Sequence, residues 1–491
     1  MVIIMKKNKS IAKNYIYSLF YEILVFIVPL LTTPYISRTL GADGIGIYSY
    51  TLSIATYFIN FGKLGFQTYG QLKIAESRDN KAKLSIYFWE ITITRFLSMM
   101  FAILLYIIVF FIDKEFSLYY FLLLIFFASS ILDFTWFLQG MEEFKIITIR
   151  NSIIKILSLI LVFLFVKDRN DLPIYFIIIQ GSTLLGNISL LTFIKKNVNR
   201  VKFNELHFIK HLKGSLPYFI PTIATTIYLS LDKSMIGWIT NSNFENGFYE
   251  QAHKIEQVAV TIVTSLSVVT MPRIAYFFNN KELEKAKTVI EETIQFSLLI
   301  SIPMTFGLIG ISKDLIPWFL GDGYENCINL LRIFSALIIV VGLNNAVGKQ
   351  VLIPMKRQKE YNLSVIIGAV TNAVLNSILI FKFAAIGAAI ASVIAETVIL
   401  ILFMYYAKDI ISIKKIFIKS FKYIMSSAVM LIVLILLSNK LCNLRSWGNI
   451  CIEIVVGLIV YIFMIFLLRD SYILNKFKFL KNKIINVFEH R

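Results

Sequence analysis

Six basic residues lie inside long apolar stretches of the chain, where a lipid bilayer disfavours charge. They are Lys63, Arg95, Lys155, Lys233, Lys254 and Arg332. A cation at mid-bilayer depth costs at least about 2.5–3.5 kcal/mol, so such residues usually face a water-filled cavity or a partner group. Lys and Arg are also the side chains that bind phosphate and carboxylate best. The six residues therefore predict a cationic cavity for an anionic substrate.

Buried acids are fewer, and two of them have no obvious partner in the local sequence. These two, Glu22 and Glu396, are candidate sites for a coupling ion, either a proton or Na⁺. Other acids lie where they could neutralise the buried cations instead: Glu90 and Asp133 for Arg95 and Lys155, Asp232 for Lys233, and Glu250 for Lys254. Structural ion pairing is thus an alternative to a substrate-binding role for each of these cations.

No cofactor, metal site or catalytic residue is predicted. The 3 Cys and 4 His are scattered, which favours neither a disulfide framework nor a zinc site. His207 and His211 lie four residues apart, on one face of a helix, within a Lys-rich segment. We expect this pair to be solvated rather than to hold a metal.

The apolar stretches are about 20 residues long, which is the length a helix needs to cross a hydrocarbon core of roughly 30 Å. The chain is 57% hydrophobic, with a mean hydropathy of +0.73. Because the apolar runs are continuous rather than alternating, they indicate helices and not barrel strands. The predicted fold class is an all-α polytopic membrane protein with about fourteen transmembrane helices. The predicted spans are 14–36, 45–67, 85–112, 117–139, 146–166, 172–194, 215–239, 248–270, 289–312, 326–348, 361–381, 384–407, 419–438 and 448–468.

The distribution of basic residues gives an independent test of this topology. Of the 49 Lys and Arg residues, 35 lie in the segments that would be cytoplasmic if the amino terminus is cytoplasmic, eight lie in the outward loops and six within the spans. This positive-inside bias predicts that both termini are cytoplasmic. It also accounts for the net charge of +19, which here indicates contact with anionic lipids rather than with nucleic acid.

An internal repeat predicts two related halves. Ser18–Tyr21 in the first span resembles Ser215–Tyr218 in the seventh, and Gly46–Tyr48 resembles Gly247–Tyr249 at the start of spans two and eight. The repeat predicts two pseudo-symmetric six-helix lobes and two additional helices. The predicted boundaries are an amino-terminal lobe over 1–194, a cytoplasmic linker over 195–214, a second lobe over 215–407, and two further helices with a basic tail over 408–491.

Polar side chains recur at helical spacing on two spans that the repeat makes equivalent. The stripes are Tyr50, Ser53, Tyr57, Asn60, Lys63 and Gln67 on span two, and Glu250, Lys254, Gln257, Thr261 and Thr264 on span eight. They fit the wall of a cavity, although hydrogen bonding between packed helices would produce similar stripes.

The segment Ser37–Tyr48, with Leu64–Gly65 after a polar helix, resembles the start of Wzx-type oligosaccharide flippases of the multidrug/oligosaccharidyl-lipid/polysaccharide exporter superfamily. Tyr228–Gly237 and Gly247–Ala252 are similar to the seventh and eighth spans of that family. The resemblance implies a non-enzymatic transporter of the bacterial cytoplasmic membrane, acting as a monomer. It would move an undecaprenyl-diphosphate-linked oligosaccharide to the outer leaflet through a cation-lined lumen. The lumen role carries most directly to Arg38, Lys233 and Lys254, which lie in the matching segments.

The resemblance also implies partners that make and polymerise the glycan, namely glycosyltransferases and a polysaccharide polymerase. Two other functions stay open at this stage. A cation-coupled multidrug exporter of the same superfamily would want a cavity dominated by carboxylates. A membrane polymerase or glycosyltransferase would present catalytic groups on a sizeable outward loop, and the predicted outward loops are short.

Overall fold

The computed structural model describes residues 2–202, 204, 206–441, 447–470 and 472–473, without the side chains of residues 2–23 and of a few residues further along. The described residues form helices and turns and contain no β-strand. The helices are α1 (Val2–Lys63), α2 (Phe66–Ser77), α3 (Lys81–Ile112), α4 (Ser117–Leu122), α5 (Leu124–Ile131), α6 (Thr135–Gly140), α7 (Phe144–Phe165), α8 (Leu172–Ser189), α9 (Leu191–Asn197), α10 (Phe208–Thr240), α11 (Asn243–Asn279), α12 (Leu283–Leu320), α13 (Asn326–Asn344), α14 (Gln358–Tyr406), α15 (Ile413–Leu441) and α16 (Trp447–Leu467).

Helix covers most of every predicted apolar run, with short breaks such as residues 132–134 within the run 117–139, and this confirms the all-α polytopic fold class. Nine helical segments in the described part of the chain are long and apolar enough to cross a membrane, and a pair bent by 42°, Asn243–Ser265 with Thr270–Asn279, raises the number to 10. The long helix α14 counts once among them although it carries two predicted spans. The total of fourteen spans stays a prediction.

Two of the helices change direction at a single residue. The break in α1 is at Gly41 (φ 69°, ψ 174°), and that in α14 is at Ala384 (φ 49°, ψ −132°). The chain reverses tightly at the second break, since a Cβ atom on Gly387 would overlap the carbonyl of Leu379. Glycine adopts the positive φ of the first break at no steric cost. Alanine is strained at the second, because its Cβ atom approaches the following carbonyl.

The chain divides into two compact units, residues 1–250 and 251–491. The first unit has an aromatic core in which Trp136 of α6 stacks on Phe88 of α3, with ring centroids 5.8 Å apart. Gly70 of α2 faces the Trp136 ring, and a Cβ atom there would lie 2.5 Å from it. The lobe boundaries that the sequence indicates, at residues 194 and 215, remain predictions.

In the second unit, α12 packs against α13, α15 and α16. The helix α13 continues into a π-helical segment, Asn345–Leu352. Outside the spans, Arg357 joins the start of α14 to the segment that follows it, through hydrogen bonds of 2.9 and 2.7 Å to the Asp409 carboxylate. These bonds from Arg357 lower the pKa of Asp409.

Candidate cationic site and buried carboxylates

Lys233 on α10 is neutralised by Glu250 on α11. The Lys233 Nζ atom lies 2.6 Å from Glu250 Oε2, and the two side chains are 23% and 14% exposed, so the pair is largely shielded from solvent. Ser49 of α1 donates a hydrogen bond of 3.2 Å to the same oxygen. Asp232, which the sequence suggested as the partner of Lys233, accepts a hydrogen bond from the Tyr249 hydroxyl. The expected neighbour pairing is therefore wrong for Lys233.

Hydroxyl groups extend this cluster along the contact between α1 and α10. The Ser53 and Ser234 hydroxyls lie 2.8 Å apart, and Ser234 also lies 3.1 Å from the Tyr57 hydroxyl. The Tyr50 ring packs against Gly237, where a Cβ atom would overlap it. Part of the predicted polar stripe on span two therefore bonds and packs between helices.

Two glycines allow the helices of this cluster to approach closely. A Cβ atom on Gly46 would overlap the carbonyl of Asn243, and one on Gly247 would overlap the carbonyl of Ala42. The backbones of α1 and α11 are thus in direct contact beside the Lys233–Glu250 pair. This contact is a physical reason for the glycines of the two Gly-x-Tyr motifs on which the predicted repeat rests.

Arg95 is fully buried on α3, and its guanidinium binds backbone rather than a carboxylate. Its two terminal nitrogens donate hydrogen bonds of 2.5 Å to the carbonyls of Asp133 and Ser130. These carbonyls lie at the break between α5 and α6, and the Asp133 carboxylate is itself bound by Thr135. The charges of both Arg95 and Lys63 act on Asp133. The structure thus brings these two predicted cations together and assigns Arg95 a clear structural task.

The remaining predicted residues of the first unit are more dispersed. Arg38 is exposed on α1, and Lys155 is half-buried on α7. The side chain of Glu22 lies outside the described residues. The lumen roles predicted for these residues remain predictions.

Glu90 binds the histidine that was expected to be solvated, whereas the terminal nitrogens of Arg95 bind backbone carbonyls. His211 and Glu90 are buried, with Nε2 of the ring 2.5 Å from Glu90 Oε2. The Tyr69 hydroxyl lies 2.9 Å from Nδ1 of the same ring, and the backbone N–H of His207 donates to Glu90 Oε1 at 2.6 Å. This network fastens the start of α10, and the residue just before it, to α2 and α3.

In the second unit, Glu396 of α14 lies near a second acid that sequence reasoning missed, Glu256 of α11. Glu256 is buried, and the charge of Glu396 acts on it. Asn344 of α13 donates a hydrogen bond of 2.6 Å to Glu396 Oε2, and His253 Nε2 lies 3.8 Å from Glu256 Oε2. Two carboxylates, an amide and an imidazole therefore meet here. A carboxylate inside an apolar run was the signal that could have identified Glu256.

The other predicted cations of the second unit lie on α11 and α13. Lys254 is half-buried on α11. Arg332 is exposed on α13, and its Nε donates a hydrogen bond of 2.9 Å to the Ser312 hydroxyl of α12. Within the described residues, no group of three or more His, Cys, Asp or Glu side chains is arranged to hold a metal ion.

Curated relatives resemble the chain at low sequence identity, and one of them does so over most of its length. The chain is 24% identical to a putative O-antigen transporter of Escherichia coli over 413 residues, which is 82% of this chain and 99% of that protein. It is 24% identical to a probable low-salt glycan biosynthesis flippase of Haloferax volcanii, over 40% of this chain and 41% of that protein.

Solved structures share the fold. A lipid II flippase MurJ in an inward closed conformation matches with a TM-score of 0.73 at 19% identity, covering 94% of this chain and 100% of that one. An inward-facing multidrug resistance transporter of the MATE family matches with a TM-score of 0.58 at 12% identity, over 78% of this chain and 98% of that one. The family model described as polysaccharide biosynthesis protein matches residues 11–278, more than half of the sequence. The Wzx-type resemblance is thereby confirmed, and the chain belongs to the polysaccharide biosynthesis protein family.

Proposed function

We propose that the protein is a flippase for lipid-linked oligosaccharides. In detail, it moves undecaprenyl-diphosphate-linked repeat units from the inner to the outer leaflet of the cytoplasmic membrane by alternating access, with both termini in the cytoplasm. The glycan then serves the synthesis of a surface polysaccharide such as capsule, O-antigen or exopolysaccharide. Support comes from the transporter and flippase relatives and from the likeness to MurJ. The function needs no covalent chemistry.

The observation that carries this proposal is the shielded ion pair of Lys233 with Glu250. A diphosphate presents delocalised negative charge and several acceptor oxygens, which a Lys ammonium group can bind in place of its carboxylate partner. Hydroxyls of Ser49 and Tyr57 lie in the same cluster and can donate to further oxygens. The proposed substrate-binding cations also include Lys63, Arg38, Lys155, Lys254 and Arg332. Arg95 is included with them, although its described hydrogen bonds stabilise the break between α5 and α6.

The membrane potential is expected to drive flipping directly. An inside-negative potential favours outward movement of an anion by about 2.3 kcal/mol per charge per 100 mV. A lipid diphosphate carried without a compensating cation therefore gains this energy. We expect that flipping in proteoliposomes becomes faster when an inside-negative potential is imposed without any Na⁺ or proton gradient. If only an ion gradient changes the rate, the proposal of an uncompensated anion is wrong, and Glu22 and Glu396 become the candidate sites for a coupling ion.

The proposed orientation predicts which segments are accessible from each side. In a variant without Cys327, Cys442 and Cys451, single cysteines placed within 195–214 or after Leu468 should react with a membrane-impermeant thiol reagent only when it reaches the cytoplasm. A cysteine within 240–247 should react from outside. Labelling of 195–214 from outside would contradict the two-lobe topology.

One observation favours the alternative of a cation-coupled multidrug exporter. Glu256 and Glu396 supply the carboxylate pair that binding of a cationic drug or a coupling ion would use. The two functions differ in their substrate, so they are separated by a transport assay with a fluorescent lipid-linked oligosaccharide beside a lipophilic cationic dye. Transport of the dye alone would establish the exporter.

A further inference from the structure

An apolar groove of about 580 Å³ lies in the second unit, between α12, α15 and α16. Its walls include Pro303 and Gly307 of α12, Met430 of α15, and Gly457 and Tyr461 of α16. The Tyr461 hydroxyl is already used, since it donates a hydrogen bond of 2.8 Å to the carbonyl of Leu299. The groove therefore offers almost only carbon to whatever fills it.

One lining residue breaks this pattern, because Glu453 of α16 is an acid. Glu453 is 1% exposed, and neither carboxyl oxygen accepts a hydrogen bond from a donor among the described residues, although the Asp314 carboxylate lies within hydrogen-bonding reach. The group that faces it from α12 is Asp314. Asp314 accepts a hydrogen bond from the Ser438 hydroxyl of α15. Two acids and one hydroxyl, from three different helices, thus meet at one end of the groove.

An ionised carboxylate is unfavourable at this position for two reasons. Burial in an apolar site without hydrogen bonds costs several kcal/mol for a charged group, and a second carboxylate facing it disfavours the charge further. Among the described residues, Asp314 is the titratable group that faces Glu453 from α12, and α15 contributes the hydroxyl of Ser438. No cation in the described part of the chain contributes to the charge environment of Glu453.

We propose that Glu453 binds a proton in this groove and shares it with Asp314, so that the last helix of the chain carries an exchangeable proton site. The protonated acid donates its O–H to Asp314, which keeps a single negative charge and the hydrogen bond from Ser438. A metal ion fits less well, since the rest of the groove is carbon and would not replace the water oxygens that an ion loses.

Such a site responds to what occupies the groove. Lipid chains in the groove keep Glu453 in its neutral form, because they cannot solvate a carboxylate. Water entering the groove solvates the ionised form and releases the proton. The site would therefore link proton binding to the hydration of the groove, whatever molecule the protein transports.

A hydrophobic carbodiimide tests the proposal on the full-length protein in proteoliposomes. Dicyclohexylcarbodiimide partitions into lipid and reacts only with protonated carboxyl groups, and the groove volume is within the range that holds a small organic molecule. We expect modification of Glu453 at neutral pH, identified by peptide mass spectrometry, and its loss as the buffer is made alkaline. The exposed Glu115, in the segment between α3 and α4, should instead react with a water-soluble carbodiimide and a hydrophilic amine.

A second variant tests the sharing of the proton. Asp314→Asn removes the facing charge and should reduce modification of Glu453 at neutral pH several-fold, while Glu453→Gln should abolish it at this position. Absence of modification of Glu453 at neutral and acidic pH would overturn the proposal, as would its reaction with the water-soluble reagent alone. Unchanged modification in Asp314→Asn would overturn the sharing. None of these readouts depends on flipping, so they stand apart from the proposed function.

Discussion

Replacing Lys233 with Glu is expected to abolish flipping, with a loss of at least about a hundredfold, the factor that roughly 3 kcal/mol represents. The change places a carboxylate where the Lys233 ammonium lies 2.6 Å from Glu250, which removes the cation and adds a repulsion. Removing one partner of a buried pair alone costs about 3–5 kcal/mol. Flipping is measured in proteoliposomes with equal amounts of folded protein, and Lys233→Arg is expected to retain most of the activity.

Exchanging the charges of Lys233 and Glu250 distinguishes a substrate-binding role of Lys233 from a role in ion pairing alone. The double variant Lys233→Glu, Glu250→Lys restores a pair of opposite charges but moves the cation from α10 to α11. We expect it to recover protein in the membrane without recovering flipping. Full flipping by the exchanged pair would show that the ammonium group serves only to neutralise its partner.

Gly46→Ala is expected to destabilise the protein by about 3 kcal/mol, the upper part of the usual range for overpacking. The added methyl group would overlap the carbonyl of Asn243, and backbone atoms cannot move aside as the end of a side chain can. The matched control is Gly181→Ala on α8, where a Cβ atom meets nothing within 4 Å. There the exchange should be neutral or stabilising by roughly 0.5–1 kcal/mol.

The measurement is thermal unfolding of the two variants and the parent protein in the same detergent. Gly46→Ala should unfold at a clearly lower temperature, and Gly181→Ala at the parent temperature or above. Equal stability of the two variants would mean that α1 and α11 do not pack backbone to backbone. The double change of Gly46 and Gly247 should not be additive, since both glycines belong to one crossing.

Sequence reasoning located the helices well because hydrophobicity and length are local properties. It placed a break near Gly41 by ending span one before it and starting span two after it. It did not find the interruption between α5 and α6, because that depends on Arg95 reaching across from α3 to the carbonyls of Ser130 and Asp133. A contact between residues more than 30 positions apart produces no periodic pattern in the sequence.

The partners of the buried charges were the least predictable part of the candidate site. Neighbouring residues on a helix point about 100° apart, so Asp232 could not readily reach the ammonium group of Lys233, and Glu250 on the next helix does. His211 was expected in water because its segment is rich in Lys, yet Glu90 and Tyr69 enclose it. Glu453 is a single acid in an apolar run, and only the groove around it makes it notable.

The sharp reversal at Ala384 restricts how the protein can be tagged. Since Gly387 already contacts the Leu379 carbonyl, the two arms of α14 are joined without a loop that could absorb extra residues, whereas insertions are normally tolerated at exposed loop tips. An epitope or fluorescent protein inserted here would separate the arms. Side-specific labels for this hairpin should therefore be introduced by substitution, and larger tags belong elsewhere in the chain.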